Sequence, residues 1–260
     1  MPRSADGGGP DGAPILITMG EPAGIGPEVA LAAYATLGGK VKGHPLKLVG
    51  DPSVFGATDA PVIATKARAR RSPGHPDPAN GAAVTEAIEI AATACLRGTA
   101  AAMVTAPIHK AVLAQAGFPH PGHTEFLGEL TGARRAVMML ASDRLRVVPL
   151  TIHMPIAQVP AAITRQAVFD TGEIVLTALR HEFGIMTPRL AVAGLNPHAG
   201  ENGVLGGEEE RVIAPAVAAL AARGFSVRGP LSADTLFHDE ARATYDAVLC
   251  MYHDQALIPI

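Results

Sequence analysis

Short apolar runs alternate with longer stretches of helical periodicity nearly from end to end of this 260-residue chain. Ile15–Met19 (ILITM) reads as a strand. A helix follows it to Gly38, opened by Pro27 in its first turn and by Glu28, whose charge complements the helix dipole. LKLVG, ending at Gly50, reads as a second short strand. Asn80 is placed to cap a long helix that Gly98 stops. AAMVTA (from Ala101), AVMML (from Ala136) and LRVVPLTI (from Leu145) have the length and β-branched content of strands. Thr164 opens a further helix to about Phe183, RLAVAGL from Arg189 is a strand, and AVLCMY from Ala247 is another. Glu208–Glu210 read as charges at the start of a helix.

Strands spaced by helices imply βαβ units and a mostly parallel sheet, so the fold class is α/β. The chain ends on an apolar segment with no helix to cover it, where a parallel sheet ordinarily has one. Either this segment is a sheet edge or the polypeptide continues past Ile260, and we expect the latter.

Composition narrows the function classes. The 21 Lys and Arg against 24 Asp and Glu leave a net charge of −3, which provides no electrostatic footprint for nucleic acid or an anionic membrane. No apolar stretch approaches the roughly 18 residues that span a bilayer. Cys95 and Cys250 each sit in an apolar run and read as core thiols of a reducing compartment. The opening MPRSADGGGPDG is rich in Gly and Pro without an apolar core, which reads as a disordered leader over 1–14 and not as a secretory signal. The expectation is a cytoplasmic protein.

Several groups of residues carry candidate chemistry. His153, His198 and His253 each follow the far end of an apolar strand. In open α/β sheets ligand sites lie outside the carboxyl ends of strands, and three imidazoles there could bind a divalent ion. Taken singly, each could instead be a hydrogen-bonded loop histidine. Asp254 could orient an imidazole or be solvated. GEPAGIGPE (Gly20–Glu28) joins a strand to a helix and is either a ligand-approaching loop or a tight turn. In PGHTEF, His123 and Thr124 could be donors to a polar substrate, or the segment could be an ordinary helix start. His109 and Lys110 in TAPIHK could reach a phosphate, or Lys110 could be a solvated helix residue. Asp234 in GPLSADTLF is either a carboxylate near a metal or amine, or a helix cap.

Read in order, GEPAGIGPE, TAPIHK, GHTEF, TIHMP, GLNPHAGENG, GPLSADTLF and CMYHDQ resemble the 4-hydroxythreonine-4-phosphate dehydrogenase family of pyridoxal phosphate biosynthesis. The resemblance runs from about Ile15 to the last residue. It implies two α/β/α lobes with a cleft, as in isocitrate and isopropylmalate dehydrogenases. The first lobe would span 15–118 and the second, with the metal and dimer contacts, 119–260. It implies a homodimer with the active site at the interface, His153, His198 and His253 as metal ligands, and His123 and Thr124 as substrate-binding residues. Asp234 matches an acidic residue close to the site. NAD or NADP would be the cofactor, with a divalent zinc, magnesium or cobalt ion. The implied reaction is oxidation of 4-phosphooxy-L-threonine, then decarboxylation to 3-amino-2-oxopropyl phosphate. The resemblance also implies a further C-terminal segment carrying substrate and cofactor contacts.

Three other readings compete. One is a sister dehydrogenase of 4-phospho-D-threonate or 4-phospho-D-erythronate. Another is a shortened, non-catalytic homologue that binds metal. The third is a metal-dependent hydrolase, which needs only the histidines and a water but has no evident general base.

Overall fold

The computed structural model describes residues 12–133, 135–201 and 203–260. The chain divides into two compact units, one closing at Ala136 and the other running from Val137 to Ile260. This boundary lies later than 118/119, because the segment after Phe118 packs back on the first unit. There Phe118, His120 and Phe126 meet ring to ring, with centroids about 5 Å apart (4.9–5.2 Å). The expected leader lies outside the described residues for positions 1–11. Residues 13 and 14 are tied down: the Ala13 carbonyl accepts from His44 Nδ1, and the Pro14 carbonyl from the Ala101 amide.

The first unit contains strands β1 (Ile15–Thr18), β2 (Lys40–Val41), β3 (His44–Gly50), β4 (Val62–Ala64) and β5 (Ala102–Val104). Its helices are α1 (Gly26–Thr36), α2 (Pro52–Phe55), α3 (Gly81–Leu96), α4 (Lys110–Gln115) and α5 (His123–Thr131). The sheet order is β2-β3-β1-β5, with β4 also on β3, and only the β2–β3 pairing is antiparallel. Alternation along a strand sends successive side chains to opposite faces. Ile17, Met19 and Leu48 accordingly join one buried cluster with Val54 and Leu113, while Leu16 and Val49 join another with Ala87 and Ala91 of α3. Asn80 precedes α3 as expected but does not cap it. Its side chain instead accepts from the Arg70 amide at 2.8 Å and donates to the Arg70 carbonyl at 3.0 Å, pinning the loop before α3.

The second unit contains β6 (Leu140–Ala141), β7 (Arg146–Pro149), β8 (Arg189–Ala193), β9 (Ser226–Leu231) and β10 (Ala247–Cys250). Its helices are α6 (Val159–Ala162), α7 (Arg165–His181), α8 (Ala214–Ala222), α9 (Asp239–Arg242) and α10 (His253–Leu257). The sheet order is β6-β7-β10-β8-β9, parallel except for β6 against β7. Val148, Leu190, Val192 and Leu249 pack with Val175, Leu176 and Leu179 of α7 and Leu220 of α8. Val147, Ala191, Val248 and Cys250 face the other way, against Leu236 and Tyr245. Thr164 caps α7, its hydroxyl accepting from the Ala167 amide at 3.1 Å.

Two expected elements differ. Of AVMML only Leu140 enters a strand, and β10 is followed by the short helix α10, whose Gln255 and Ala256 are buried. Cys250 is a core thiol, pushed by burial up to about 12, whereas Cys95 is only partly buried. Among the described residues no helix is long and apolar enough to cross a membrane.

Packing also accounts for the glycines of GEPAGIGPE. A Cβ on Gly20, whose φ is +67°, would lie 2.5 Å from the Pro107 carbonyl oxygen, and one on Gly26 would lie 2.4 Å from that of Met19. Both contacts are with backbone, so neither neighbour can simply turn aside. Gly26→Ala should therefore cost about 1–3 kcal/mol, as overpacking of a tight site does. Urea titration followed by circular dichroism measures it, and an unchanged midpoint would mean that α1 starts free of β1.

Candidate functional site

The order β7-β10-β8 sets the site. These three parallel neighbours end side by side, and each is followed by one of the singled-out histidines: His153 after β7, His253 after β10 and His198 after β8. The His153 and His253 rings come together, with centroids 6.0 Å apart and planes at 40°. Both help line a shallow pocket with Thr151, Met154, Tyr252 and Asp254. His198 sits in a separate turn, where its Nδ1 is 3.2 Å from Asp234 Oδ2. Among the described residues, no three His, Cys, Asp or Glu side chains converge as a metal-ready group.

The backbone at two of these histidines is unusual. His153 and His198 have φ of +49° and +52°, and Ala199 and Glu201 follow at +53° and +45°. Non-glycine residues in this region cost roughly 1–2 kcal/mol each and persist where the surroundings over-determine them.

Two of the rings have a carboxylate beside Nδ1. Asp234 touches His198 at Nδ1, and Asp254 touches His253 at Nδ1 at 2.8 Å. In the His253–Asp254 hydrogen bond the carboxylate oxygen accepts and Nδ1 donates, so Nε2 is the nitrogen a neutral ring offers to a ligand. That is the arrangement in which an imidazole serves as a metal ligand. The donor chemistry thus fits a divalent ion. Asp234, which could have been a helix cap, lies within a 3-10 turn at Ala233–Thr235 and directs its side chain to His198.

The other candidates lie in the first unit. His123 opens α5, and its Nε2 is buried with no hydrogen-bond partner. Burial, and then the positive charge of Lys110, holds the His123 pKa below its ordinary value, so the ring is neutral at neutral pH. Thr124 is exposed on the same first turn. The Lys110 side chain runs over Gly122, just before His123; a Cβ there would sit 3.3 Å from Lys110 Cε. His109 is used locally, its Nδ1 accepting from the Val112 amide to cap α4. His120 packs against Phe118 and Phe126 and lies 3.2 Å from Glu129.

Two buried polar residues escaped the sequence reading. Glu209, expected as a charge at a helix start, does open one but is 3% exposed and accepts from the Asn196 amide at 2.7 Å. The periodicity of the segment could have revealed it. Glu209, Ile213, Ala216 and Leu220 follow helical spacing and are all buried, so the acid stands on the apolar stripe. Gln255 accepts from the Met251 amide at 2.7 Å and donates to the Gly194 carbonyl at 2.7 Å, joining the ends of β10 and β8. No periodic feature of HDQAL distinguishes it from a surface amide.

Residues 25–260 match the family model described as pyridoxal phosphate biosynthetic protein PdxA. A protein of Roseobacter denitrificans named 4-hydroxythreonine-4-phosphate dehydrogenase is 50% identical, over 96% of this chain and 82% of its own length. The crystal structure of the enzyme of that name from Klebsiella pneumoniae superposes with a TM-score of 0.85 at 34% identity, covering 95% of this chain and 82% of its own. A terephthalate 1,2-cis-dihydrodiol dehydrogenase of Burkholderia xenovorans superposes with a TM-score of 0.72 at 26% identity, over 95% of this chain and 82% of its own.

Proposed function

Because this chain belongs to the pyridoxal phosphate biosynthetic protein PdxA family, we propose that it is a metal-dependent 4-hydroxythreonine-4-phosphate dehydrogenase. It would oxidise the C3 hydroxyl of 4-phosphooxy-L-threonine with NAD or NADP, and the 3-oxo acid would lose carbon dioxide to give 3-amino-2-oxopropyl phosphate. The observation that carries this reading is the row β7-β10-β8, whose following loops bring His153, His253 and His198 to one sheet edge.

In this reading His153, His198 and His253 hold a divalent zinc, magnesium or cobalt ion, in a homodimer whose two copies both contribute to the site. A bound cation would supply Lewis acidity, acidifying the substrate hydroxyl and offsetting negative charge as carbon dioxide departs. Asp234 and Asp254 hold the His198 and His253 rings with Nε2 available. His123 and Thr124 bind the substrate, the neutral imidazole offering a hydrogen bond without a charge of its own. We extend the same reading to the fold's wider kinship with isocitrate and isopropylmalate dehydrogenases, and to a cytoplasmic location.

The test is nicotinamide reduction by the purified chain with 4-phosphooxy-L-threonine, NAD or NADP and a divalent metal. Reduction should disappear on chelation and return when the metal is restored. Reduction indifferent to a chelator would remove the metal from the reading. The dihydrodiol dehydrogenase likeness favours one second reading, a sister dehydrogenase with another substrate. Faster turnover of 4-phospho-D-threonate or 4-phospho-D-erythronate than of the amino acid would establish it.

A further inference from the structure

We infer that Glu209 is a positioning residue for His198, holding the turn that presents this imidazole. The inference rests on the proposed role of His198 as a metal ligand. Glu209 begins a single π-helical turn, Glu209–Ile213, and is buried in line with Ile213, Ala216 and Leu220. It accepts from the Asn196 amide at 2.7 Å through Oε1 and from Asn196 Nδ2 at 3.2 Å through Oε2. Glu208 adds a third contact, from Asn196 Nδ2 at 3.3 Å.

The cradle is closed on both sides of His198. A Cβ on Gly194 would sit 3.1 Å from Glu209 Oε1, and one on Gly200 would sit 2.8 Å from Oε2. The carboxylate therefore lies beside the chain before and after the histidine, where the two glycines leave it room. Between those contacts His198 and Ala199 are in the left-handed region. Left to itself that backbone would relax to a commoner conformation, and the His198–Asp234 contact would relax with it. A buried acid with several hydrogen bonds is costly to place and strongly directional once satisfied, which suits it to holding one conformation.

The test compares Glu209→Ala, Glu209→Gln and the exposed control Glu210→Ala in the full chain. Co(II) affinity is measured by chelator competition, melting by circular dichroism, and amide exchange over the Asn196–Glu201 turn by mass spectrometry. Glu209→Ala should weaken Co(II) binding by about tenfold or more, as loss of outer-shell support does, and speed exchange in that turn. Glu209→Gln keeps an acceptor for the Asn196 amide and should recover most of both, and Glu210→Ala should change neither. A lower melting temperature with Co(II) affinity and turn exchange intact would mean a merely structural role and would overturn the inference. Should Glu209→Ala not fold, Asn196→Ala removes the side-chain contact without touching the helix and is read the same way. If His198→Ala leaves Co(II) affinity unchanged, the metal assignment itself fails. The positioning inference then stands or falls on exchange in the turn alone.

Discussion

Replacing His198 with alanine is expected to lower the chelator-sensitive dehydrogenase activity by about 10³-fold, the several kcal/mol that a metal ion supplies to a developing charge. His198 is exposed and lies beyond the end of β8, so its side chain supports no core contact. Melting should accordingly stay within about 2 °C of the parent, the shift expected of a surface change of a few tenths of a kcal/mol. Steady-state kinetics with saturating and limiting metal separates the two ways activity can fall. If excess metal restores the rate, the lost ligand set affinity only; if it does not, the ligand also fixed the geometry of reaction. Full activity in a metal-stripped His198→Ala protein would end the proposal. Asp234→Asn tests the neighbouring step. Asparagine can still accept from Nδ1 but carries no charge, so its effect should be smaller than that of removing the ring.

How much of this was legible in the sequence follows from which interactions are local. β1, β8 and β10 were visible because they are buried on both faces and read as continuous apolar runs. Strand β9 was not, because Arg228, Gly229 and Pro230 interrupt its pattern, and its pairing with β8 supplies what propensity does not. The three histidines could be marked because strand ends are the usual places for ligands, and the meeting of His153 with His253 depended on a strand order that no local pattern encodes. The contact between His198 and Asp234 crosses 36 positions of sequence (234 − 198), and nothing in either segment announces the other. The burial of Glu209 was hidden for a different reason. A run of three acids looks solvated, and only the register of the apolar stripe behind it separates the middle one from its neighbours.

The GEPAGIGPE loop carries a related lesson. Its glycines were ambiguous between ligand approach and tight turn, and the structure supplies a sufficient packing reason for Gly20 and Gly26. A second loop is sewn to it. The Glu21 amide donates to the Pro107 carbonyl at 2.9 Å, and the Ala106 amide to Thr18 Oγ1 at 3.3 Å. TAPIHK is thereby held against the end of β1, which fixes where α4 and Lys110 begin.

The scaffold of the second unit should respond in the opposite way to the site. Leu249 is fully buried in β10, the strand between β7 and β8, and packs among Val148, Leu190 and Leu176. Leu249→Ala removes buried methyl groups from a sheet whose neighbours are fixed by hydrogen bonds on both sides, so the site can collapse only partly. The expected cost is about 3 kcal/mol, within the range for buried leucines, and on the order of 10 °C in melting temperature. The chain has no tryptophan and three tyrosines, two of which, Tyr245 and Tyr252, lie in this unit. Tyrosine fluorescence alongside far-ultraviolet circular dichroism therefore reports its unfolding. Because β10 leads directly into His253, any activity lost at low temperature should track the unfolded fraction, with Co(II) affinity of the folded protein unchanged. A loss below about 1 kcal/mol would contradict close packing around β10, since core deletions cost that little only where the surroundings close over the gap. A stable Leu249→Ala protein with weakened Co(II) binding would instead mean that the core of β10, and not its loop, sets the position of His253.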